Sequence, residues 1–306
     1  MPQVATASEL FGGVDGGGSK TLAVIVDCDG SERGRATAGS SNFTAIGAEQ
    51  AAAAISQAVT EAVEIAGGHL PVRSLWAGIS GIDRQGAREQ LQSLIQPLSG
   101  NIRLTNDAEL IFSALEGGVG VVLIAGTGSI ALGHGTSGAT ARAGGWGHLM
   151  GDEGSGYDIG RRALQAAARA ADGRGPATAL LEAFMRHWDV ERPLDMIAHA
   201  YRSTDKAAVA ELSSIVFAAA NDGDPVARRI LSNAAGELAS AAIAAGDQLA
   251  LPDGVLPLAL TGGLLAGNAE FRRSVLRRIR ARRRVGQVSI VTDSALSAAR
   301  SLVRGK

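Results

Sequence analysis

The stretch that most limits how this chain can fold is Val14-Asp15-Gly16-Gly17-Gly18-Ser19-Lys20-Thr21, a glycine-rich turn between a short apolar run and a second run, Leu22 to Val26. Three consecutive glycines suit core packing poorly, but they let backbone N–H groups approach anionic oxygens with no Cβ in the way. The pattern returns as Ile124-Ala125-Gly126-Thr127-Gly128-Ser129, flanked by Val119, Val121, Val122 and Leu123 before it and by Ile130, Ala131 and Leu132 after it. One such hairpin could merely turn the chain. Two in matching surroundings point to a pair of phosphate turns.

The matching extends past the turns. Leu10 to Asp15, Thr21 to Asp27 and Glu32 to Ala38 read as three antiparallel strands, and Gly120 to Ala125, Ser129 to His134 and Thr140 to Gly144 repeat the plan, each set with a glycine-containing second hairpin. In the first half, helical spacing over Gly47 to Ala66 is followed by a strand at Val72 to Ser80, a helix at Arg84 to Ile95, and a strand at Asn101 to Thr105 that leads into a helix near Asn106. In the second half a helical stretch from Tyr157 to Leu249 precedes a strand at Val255 to Leu260, a helix at Asn268 to Arg283, a strand at Gln287 to Val291 and a closing helix at Ser294 to Val303. The expectation is an α/β protein with a duplicated β-β-β-α-β-α-β-α core. Its domains would be 1–117 and 118–306, the second enlarged by a helical insertion over about 157–250, with the last helix packing back on the first domain.

Composition narrows the function. The 306 residues carry 29 Lys+Arg against 30 Asp+Glu, a formal charge of -1, so no overall basic field draws nucleic acid or an anionic membrane and any anion binding must be local. Cys28 is the one cysteine, which excludes intramolecular disulfides and Cys-x-x-Cys sites and suits a reducing compartment. A polar leader with no cationic segment before an apolar one, and no apolar run near the roughly 20 residues of a membrane span, give the expectation of a soluble cytoplasmic protein.

Neither familiar phosphate fingerprint accounts for the first turn. A P-loop requires Gly-Lys-[Ser/Thr] opening a helix, whereas Ser19 separates Gly18 from Lys20 and the residues that follow read as a strand. A dinucleotide fingerprint fails likewise, since Thr21 stands where its third glycine would open a helix. A nucleotide here is held by β-hairpin turns. A third glycine segment, Leu260-Thr261-Gly262-Gly263-Leu264-Leu265-Ala266-Gly267-Asn268, follows a strand and opens a helix, where bare backbone can lie flat against a nucleoside.

Two phosphate hairpins, an acid after the last strand of the first half and a late Thr-Gly-Gly segment resemble the superfamily of sugar kinases, actin and heat-shock chaperone ATPases. "DGGGSKT" (15 to 21), "SSN" (40 to 42), "TNDAE" (105 to 109), "AGTGS" (125 to 129) and "GGWGHLMGDEGSGYDIGR" (144 to 161) are more closely similar to its N-acetylglucosamine kinase branch, whose relatives include activator ATPases of benzoyl-CoA reductase. The resemblance runs from about Phe11 to about Arg300 and implies two ribonuclease H-like, actin-like ATPase domains around a cleft. It also implies ATP and Mg²⁺ as cofactors, and phosphorylation of the 6-hydroxyl of an amino sugar, N-acetylglucosamine or else glucosamine. Two other classes stand beside this one. An activator ATPase of a partner enzyme would bridge an iron–sulfur cluster with paired cysteines, which Cys28 alone cannot supply. A sensor without catalysis is disfavoured by Asp107.

Asp107, read from its neighbours, is either a helix N-terminal carboxylate or a base; the resemblance implies the base that takes the proton of the attacking sugar hydroxyl. Asp15 would hold Mg²⁺ through waters. Gly17, Gly18, Ser19 and Thr21 would bind phosphates through N–H groups and hydroxyls with Lys20 as the nearby cation, Thr127, Gly128 and Ser129 would clamp from the second domain, and Gly262, Gly263 and Asn268 would face the adenosine. Trp146 offers an aromatic face for sugar C–H groups. The resemblance implies that Asn42, Asn106, Asp152 and the backbone from Gly145 to Gly147 hold the sugar. Glu153 is set aside as a cap for the helix near Ser155, and His148 as structural. The arginines Arg272, Arg273, Arg277, Arg278, Arg280, Arg282, Arg283 and Arg284 read as a solvated helix face rather than a nucleic-acid site. The expected partner is a small amino sugar, with no nucleic acid and no membrane, and a homodimer is left open.

Overall fold

Two glycine-turn hairpins each open a five-stranded mixed sheet in the computed structural model, which describes residues 10–202 and 205–304; the polar leader lies outside the described residues. The first sheet comprises β1 (Phe11–Gly16), β2 (Thr21–Val26), β3 (Glu32–Ala38), β4 (Ser74–Ile79) and β5 (Ile102–Thr105). The second comprises β6 (Gly120–Ala125), β7 (Ser129–His134), β8 (Thr140–Gly144), β9 (Leu256–Thr261) and β10 (Val285–Val291). The strand orders, β3-β2-β1-β4-β5 and β8-β7-β6-β9-β10, are the same order twice. Register agrees as well: β1 runs antiparallel to β2 and parallel to β4, and β6 runs antiparallel to β7 and parallel to β9.

Residues up to Gly118 together with Val291 onward form one compact unit, and Val119–Ile290 form the other. In the first unit, the helices are α1 (Phe43–Ile46), α2 (Ala48–Ile65), α3 (Ala87–Ile95), the single-turn α4 (Glu109–Phe112) and the closing Ser294–Arg304 helix. α2 forms because Ala48, Ala51, Ala52, Ile55, Val59, Ala62 and Val63 recur at helical spacing and bury one stripe against the sheet. The helix expected from Asn106 is short: after Phe112 the chain continues in i→i−3 turns, and Gly117 and Gly118, both in the left-handed region, turn it toward the next strand.

Small residues set the spacing between helix and sheet. A Cβ on Gly13 of β1 would lie 1.9 Å from the Ala295 carbonyl oxygen of the closing helix, and one on Gly34 of β3 would lie 2.0 Å from that of Ala62. Backbone therefore meets backbone at both places, with Ala295, Ala298 and Ala299 fully buried. The larger apolar contribution comes from Leu75, Ile55, Leu91 and Ile95, fully buried, each worth about 1.5–3 kcal/mol before the entropy of ordering is subtracted.

The second unit places six helices between β8 and β9: α5 (Gly156–Ala171), α6 (Ala179–Trp188), α7 (Met196–Arg202), α8 (Lys206–Glu211), α9 (Ser213–Asn221) and α10 (Pro225–Asp247). α11 (Gly263–Gly267) and α12 (Ala269–Arg280) follow β9, and the closing helix is α13. α10 is the spine of this unit. Asp224 caps it by accepting the Ala227 N–H at 2.7 Å, Pro225 occupies its first position, and Ala234, Ala235, Leu238, Ala239 and Ala242 are buried along it. Asp224 also accepts from the Ala179 N–H and the Thr178 hydroxyl, which ties α6 to α10.

Candidate active site

In the first unit the carboxyl ends of β1, β4 and β5 bring three groups together. Asp15 is half-buried near the end of β1 and receives a hydrogen bond from the Ser294 hydroxyl at the start of α13. Burial holds its carboxyl above the usual range; the Ser294 bond opposes that shift, the charges of Asp107 and Asp293 add to it, and Lys20 opposes it. Asp107, past the end of β5, accepts hydrogen bonds from the Ser80 hydroxyl just beyond β4 and from the Ala108 N–H at 3.0 Å. Gly78 allows this approach, since a Cβ there would lie 2.4 Å from Leu110 and 2.9 Å from the Asn106 carbonyl oxygen.

The first glycine turn closes with the Gly17 N–H donating to the Lys20 carbonyl at 3.0 Å, leaving Gly18, Ser19 and Lys20 exposed. A Cβ would find nothing nearer than 3.5 Å at Gly17 and 3.9 Å at Gly18, so this face of the turn is open. The loop at 40–42 braces it: the Ser40 hydroxyl and the Ser41 N–H both donate to the Gly17 carbonyl. Thr21 does not face outward as expected. It is fully buried at the start of β2, where its hydroxyl donates to the Gly39 carbonyl at 2.7 Å and shares a 2.8 Å bond with Ser41. Asn42 spends its carbonyl oxygen capping α1, and its amide nitrogen lies on the Gly18 side. Asn106 is held at both ends, with its oxygen accepting from the Glu109 N–H and its amide donating to Asp83.

The second unit builds its half around the second turn. The Gly126 N–H donates to the Gly128 carbonyl at 2.9 Å, and the start of α5 docks beneath through the Gly156 N–H on Gly126 and the Tyr157 N–H on Thr127. Thr127 is exposed. Ser129, like Thr21 in the first turn, is committed inside the protein: its N–H donates to Asp152 Oδ1 at 3.0 Å and its hydroxyl to the Glu153 carbonyl at 2.8 Å. Both residues start the strand after their turn, so ladder pairing takes them inward. Gly262, with φ near 87°, lies against the same turn, where a Cβ would lie 2.3 Å from the Ala125 carbonyl oxygen, while Gly263 has an open face. Asn268 caps α12 through the Phe271 N–H and lines a cavity of about 390 Å³ with Phe217, Asn221, Arg228, Phe271 and Arg277. That cavity has the size and mixed lining a nucleoside needs.

Asp152 is 4% exposed in a left-handed conformation, and both of its oxygens are bonded, Oδ1 to the Ser129 N–H and Oδ2 to Lys206 Nζ at 2.7 Å. It therefore sits under the second turn rather than open to solvent. Gly144, Gly145 and Gly147 are all in the left-handed region and throw Trp146 outward, 66% exposed, with the Arg142 guanidinium over its ring. The exposed His148 ring packs edge-on against Tyr157. The cap of α5 is Ser155, which accepts from the Asp158 N–H, and not Glu153, whose side chain is exposed. Of the arginines on and after α12, Arg272 donates to the Leu265 and Ala266 carbonyls, Arg278 to Ser232 and Ser274, and Arg283 pairs with Asp247; these bind the unit together.

Sequence reasoning missed Ser80, Ser294, Lys206 and the cavity beside Asn268. Ser294 was findable from the repeat: Leu104-Thr105-Asn106-Asp107 aligns with Val291-Thr292-Asp293-Ser294, and Asn106 and Asp293 cap the helices that follow in the same way. Ser80 and the cavity lining depend on which loops meet and carry no local signature.

Known proteins agree with this architecture. A Dictyostelium discoideum protein named N-acetyl-D-glucosamine kinase is 34% identical over 84% of this chain and 86% of its own. A Clostridium acetobutylicum protein named N-acetylmuramic acid/N-acetylglucosamine kinase is 36% identical over 83% of this chain and 84% of its own. The crystal structure of a Chromobacterium violaceum protein, described as a candidate N-acetylglucosamine kinase, superposes with a TM-score of 0.71 at 27% identity, covering 97% of this chain and 99% of that one. The match to a family model spans residues 13–299, and the chain belongs to the BadF/BadG/BcrA/BcrD ATPase family.

Proposed function

We propose that the protein is an ATP-dependent sugar kinase that transfers the γ-phosphoryl group of ATP to the 6-hydroxyl of N-acetylglucosamine, giving N-acetylglucosamine 6-phosphate and ADP, with glucosamine as the alternative acceptor. The observation that carries this reading is Asp107, held by the Ser80 hydroxyl at the carboxyl end of the first sheet within the electrostatic reach of Asp15. Asp107 would take the proton of the sugar hydroxyl as its oxygen attacks the γ-phosphorus; the bond to the bridging oxygen of ADP then breaks, and the proton remains on the carboxyl group. Ser80 keeps the accepting oxygen aimed.

The rest of the machinery positions groups and neutralises charge, because phosphoryl transfer leaves little covalent work for the protein. In the first unit, Gly17, Gly18 and Ser19 would offer N–H groups and Lys20 a cation to phosphate oxygens; in the second, Gly126 to Gly128 and the Thr127 hydroxyl form an anion-binding turn of the same kind. The cavity beside Asn268, with the open face of Gly263, would take the nucleoside. For the sugar, the second unit would offer Trp146, the Gly145 to Gly147 backbone and Asp152, and the first unit Asn42.

Asp15 would hold Mg²⁺. The site fits a cation: burial and the neighbouring Asp107 charge raise the Asp15 carboxyl, while Asp293, which adds to the shift, is itself paired with Arg35 at 2.6 Å. A single carboxylate beside phosphates is the kind of ligand set a hard cation that keeps its waters takes. Bound there, the ion would offset the charge that develops on the phosphates.

The test is coupled ADP release with N-acetylglucosamine, glucosamine, N-acetylmannosamine, N-acetylmuramic acid and glucose. N-acetylglucosamine should give the highest kcat/KM. If no sugar stimulates ADP release the kinase reading fails, and full activity in Asp107→Asn removes Asp107 as the base.

A further inference from the structure

Lysine is scarce in this chain, with three lysines beside 26 arginines, and one of the three is Lys306 at the chain end. The two internal lysines stand at the two glycine turns: Lys20 within the first, and Lys206, brought by the helical insertion, at the second. Lys206 Nζ lies 2.7 Å from Asp152 Oδ2, and a Cβ built on Gly128 would be 2.8 Å from that same nitrogen. The ammonium thus stands over the bare face of Gly128. Its side chain is 30% exposed and has three donors, of which Asp152 engages one. Asp152, at 5% side-chain exposure, has no other cation at this distance among the described residues.

We propose that Lys206 is the cation of the second glycine turn and that it couples the two substrates: it holds Asp152 under the turn, and a polyphosphate seated on the turn's N–H groups draws the ammonium away, releasing Asp152 to accept a sugar hydroxyl. The inference rests on the kinase reading above and adds a residue and a linkage to it. A compact ammonium on a flexible stem can pass from a carboxylate to a phosphate within one small rotation, which a guanidinium forked onto Asp152 would resist. This gives a physical reason for lysine at a position where the chain otherwise uses arginine. It also makes the linkage reciprocal: nucleotide tightens sugar binding and sugar tightens nucleotide binding by the same factor.

Calorimetric titration of the full chain tests this without turnover. ADP and a non-hydrolysable ATP analogue are titrated alone and with saturating N-acetylglucosamine, for wild type, Lys206→Met and Lys206→Gln, with folding checked by circular dichroism. Loss of one charge-assisted contact should weaken nucleotide binding about tenfold. Sugar affinity in the variants should no longer depend on nucleotide, whereas in the wild type it rises when ADP is present. A purely structural Lys206 would lower Tm and leave the coupling factor intact, and that result overturns the proposal. Nucleotide affinity within twofold of wild type in either folded variant also overturns it, with the kinase reading untouched. If the wild type itself binds no nucleotide, both fall.

Discussion

The two glycine turns occupy the same place in two sheets of the same strand order, yet they are furnished differently. The first, Gly17 to Lys20, carries its cation in the turn and stands beside two acids of its own unit, Asp15 and Asp107. The second, Gly126 to Gly128, is one residue shorter between its paired strand ends, has Ile124 where the first sheet has Asp15, and takes its charges from segments distant in sequence, Asp152 and Lys206. Even the last strand corners diverge: Asp107 in one repeat is Ser294 in the other, and Ser294 donates to Asp15. The repeated strand plan supplies the same glycine-turn backbone twice. The paired acids stand beside one copy, whereas the charges at the other come from Asp152, between β8 and α5, and from Lys206 in the helical insertion.

If the chemistry belongs to the first copy, Asp107→Asn should lower kcat by about 10³-fold with nucleotide affinity unchanged, as removing a positioned base does. Ser294→Ala, at the matching corner of the other repeat, should cost only about tenfold, as loss of a supporting contact to the carboxylate proposed to hold Mg²⁺. Equal effects in the coupled ADP assay would erase the distinction. The next largest effect is on stability. Gly13→Ala should destabilise by about 3 kcal/mol in urea melts, because its Cβ would enter the Ala295 carbonyl of α13, whereas the matching position of the second sheet already carries the side chain of Val122.

Smaller effects separate the turns themselves. Gly128→Ala would press a methyl group against Asp152 and Lys206 and should cost about 2 kcal/mol, while Gly18→Ala, with open space around it, should stay within about 0.5 kcal/mol. Similar melts for both would mean the second turn is as open as the first. The smallest effect concerns the buried acid. A carboxyl whose folded-state pKa is raised contributes stability at low pH that is lost as pH climbs from the ordinary aspartate value of 3.8 through the raised one. Asp15→Asn should therefore melt higher than wild type at neutral pH without nucleotide, and the gap should close as the pH is lowered toward 3.8. A lower Tm at neutral pH would show that the Ser294 bond outweighs burial.

Much of the fold was legible because apolar periodicity and glycine punctuation are local signals: the strand-turn-strand units, the helical stretch from Tyr157 to Leu249 and the repeat could all be read along the chain. Of the candidate site, Asp15 and Asp107, singled out by their motifs, stand within electrostatic reach of each other in the first unit. The site was misjudged at Thr21 and Ser129, where a hydroxyl in a glycine-rich turn reads as a phosphate ligand although strand pairing turns it inward. Asp152 was placed among sugar-facing groups by its motif, and only the structure reveals that Ser129 and Lys206 hold its two oxygens.

What the sequence by itself determined is the pair of hairpin turns, the doubled strand plan and the identity of the acids, since each rests on residue type and spacing within a few positions. The tertiary structure decided which of those groups face outward, that Ser80 and Ser294 hold the two acids, and that Lys206, 54 positions from Asp152, reaches it. The physical reason is range: backbone geometry and periodicity act between neighbours in the chain, whereas a hydrogen bond or an ion pair requires only that two groups arrive at the same point in space.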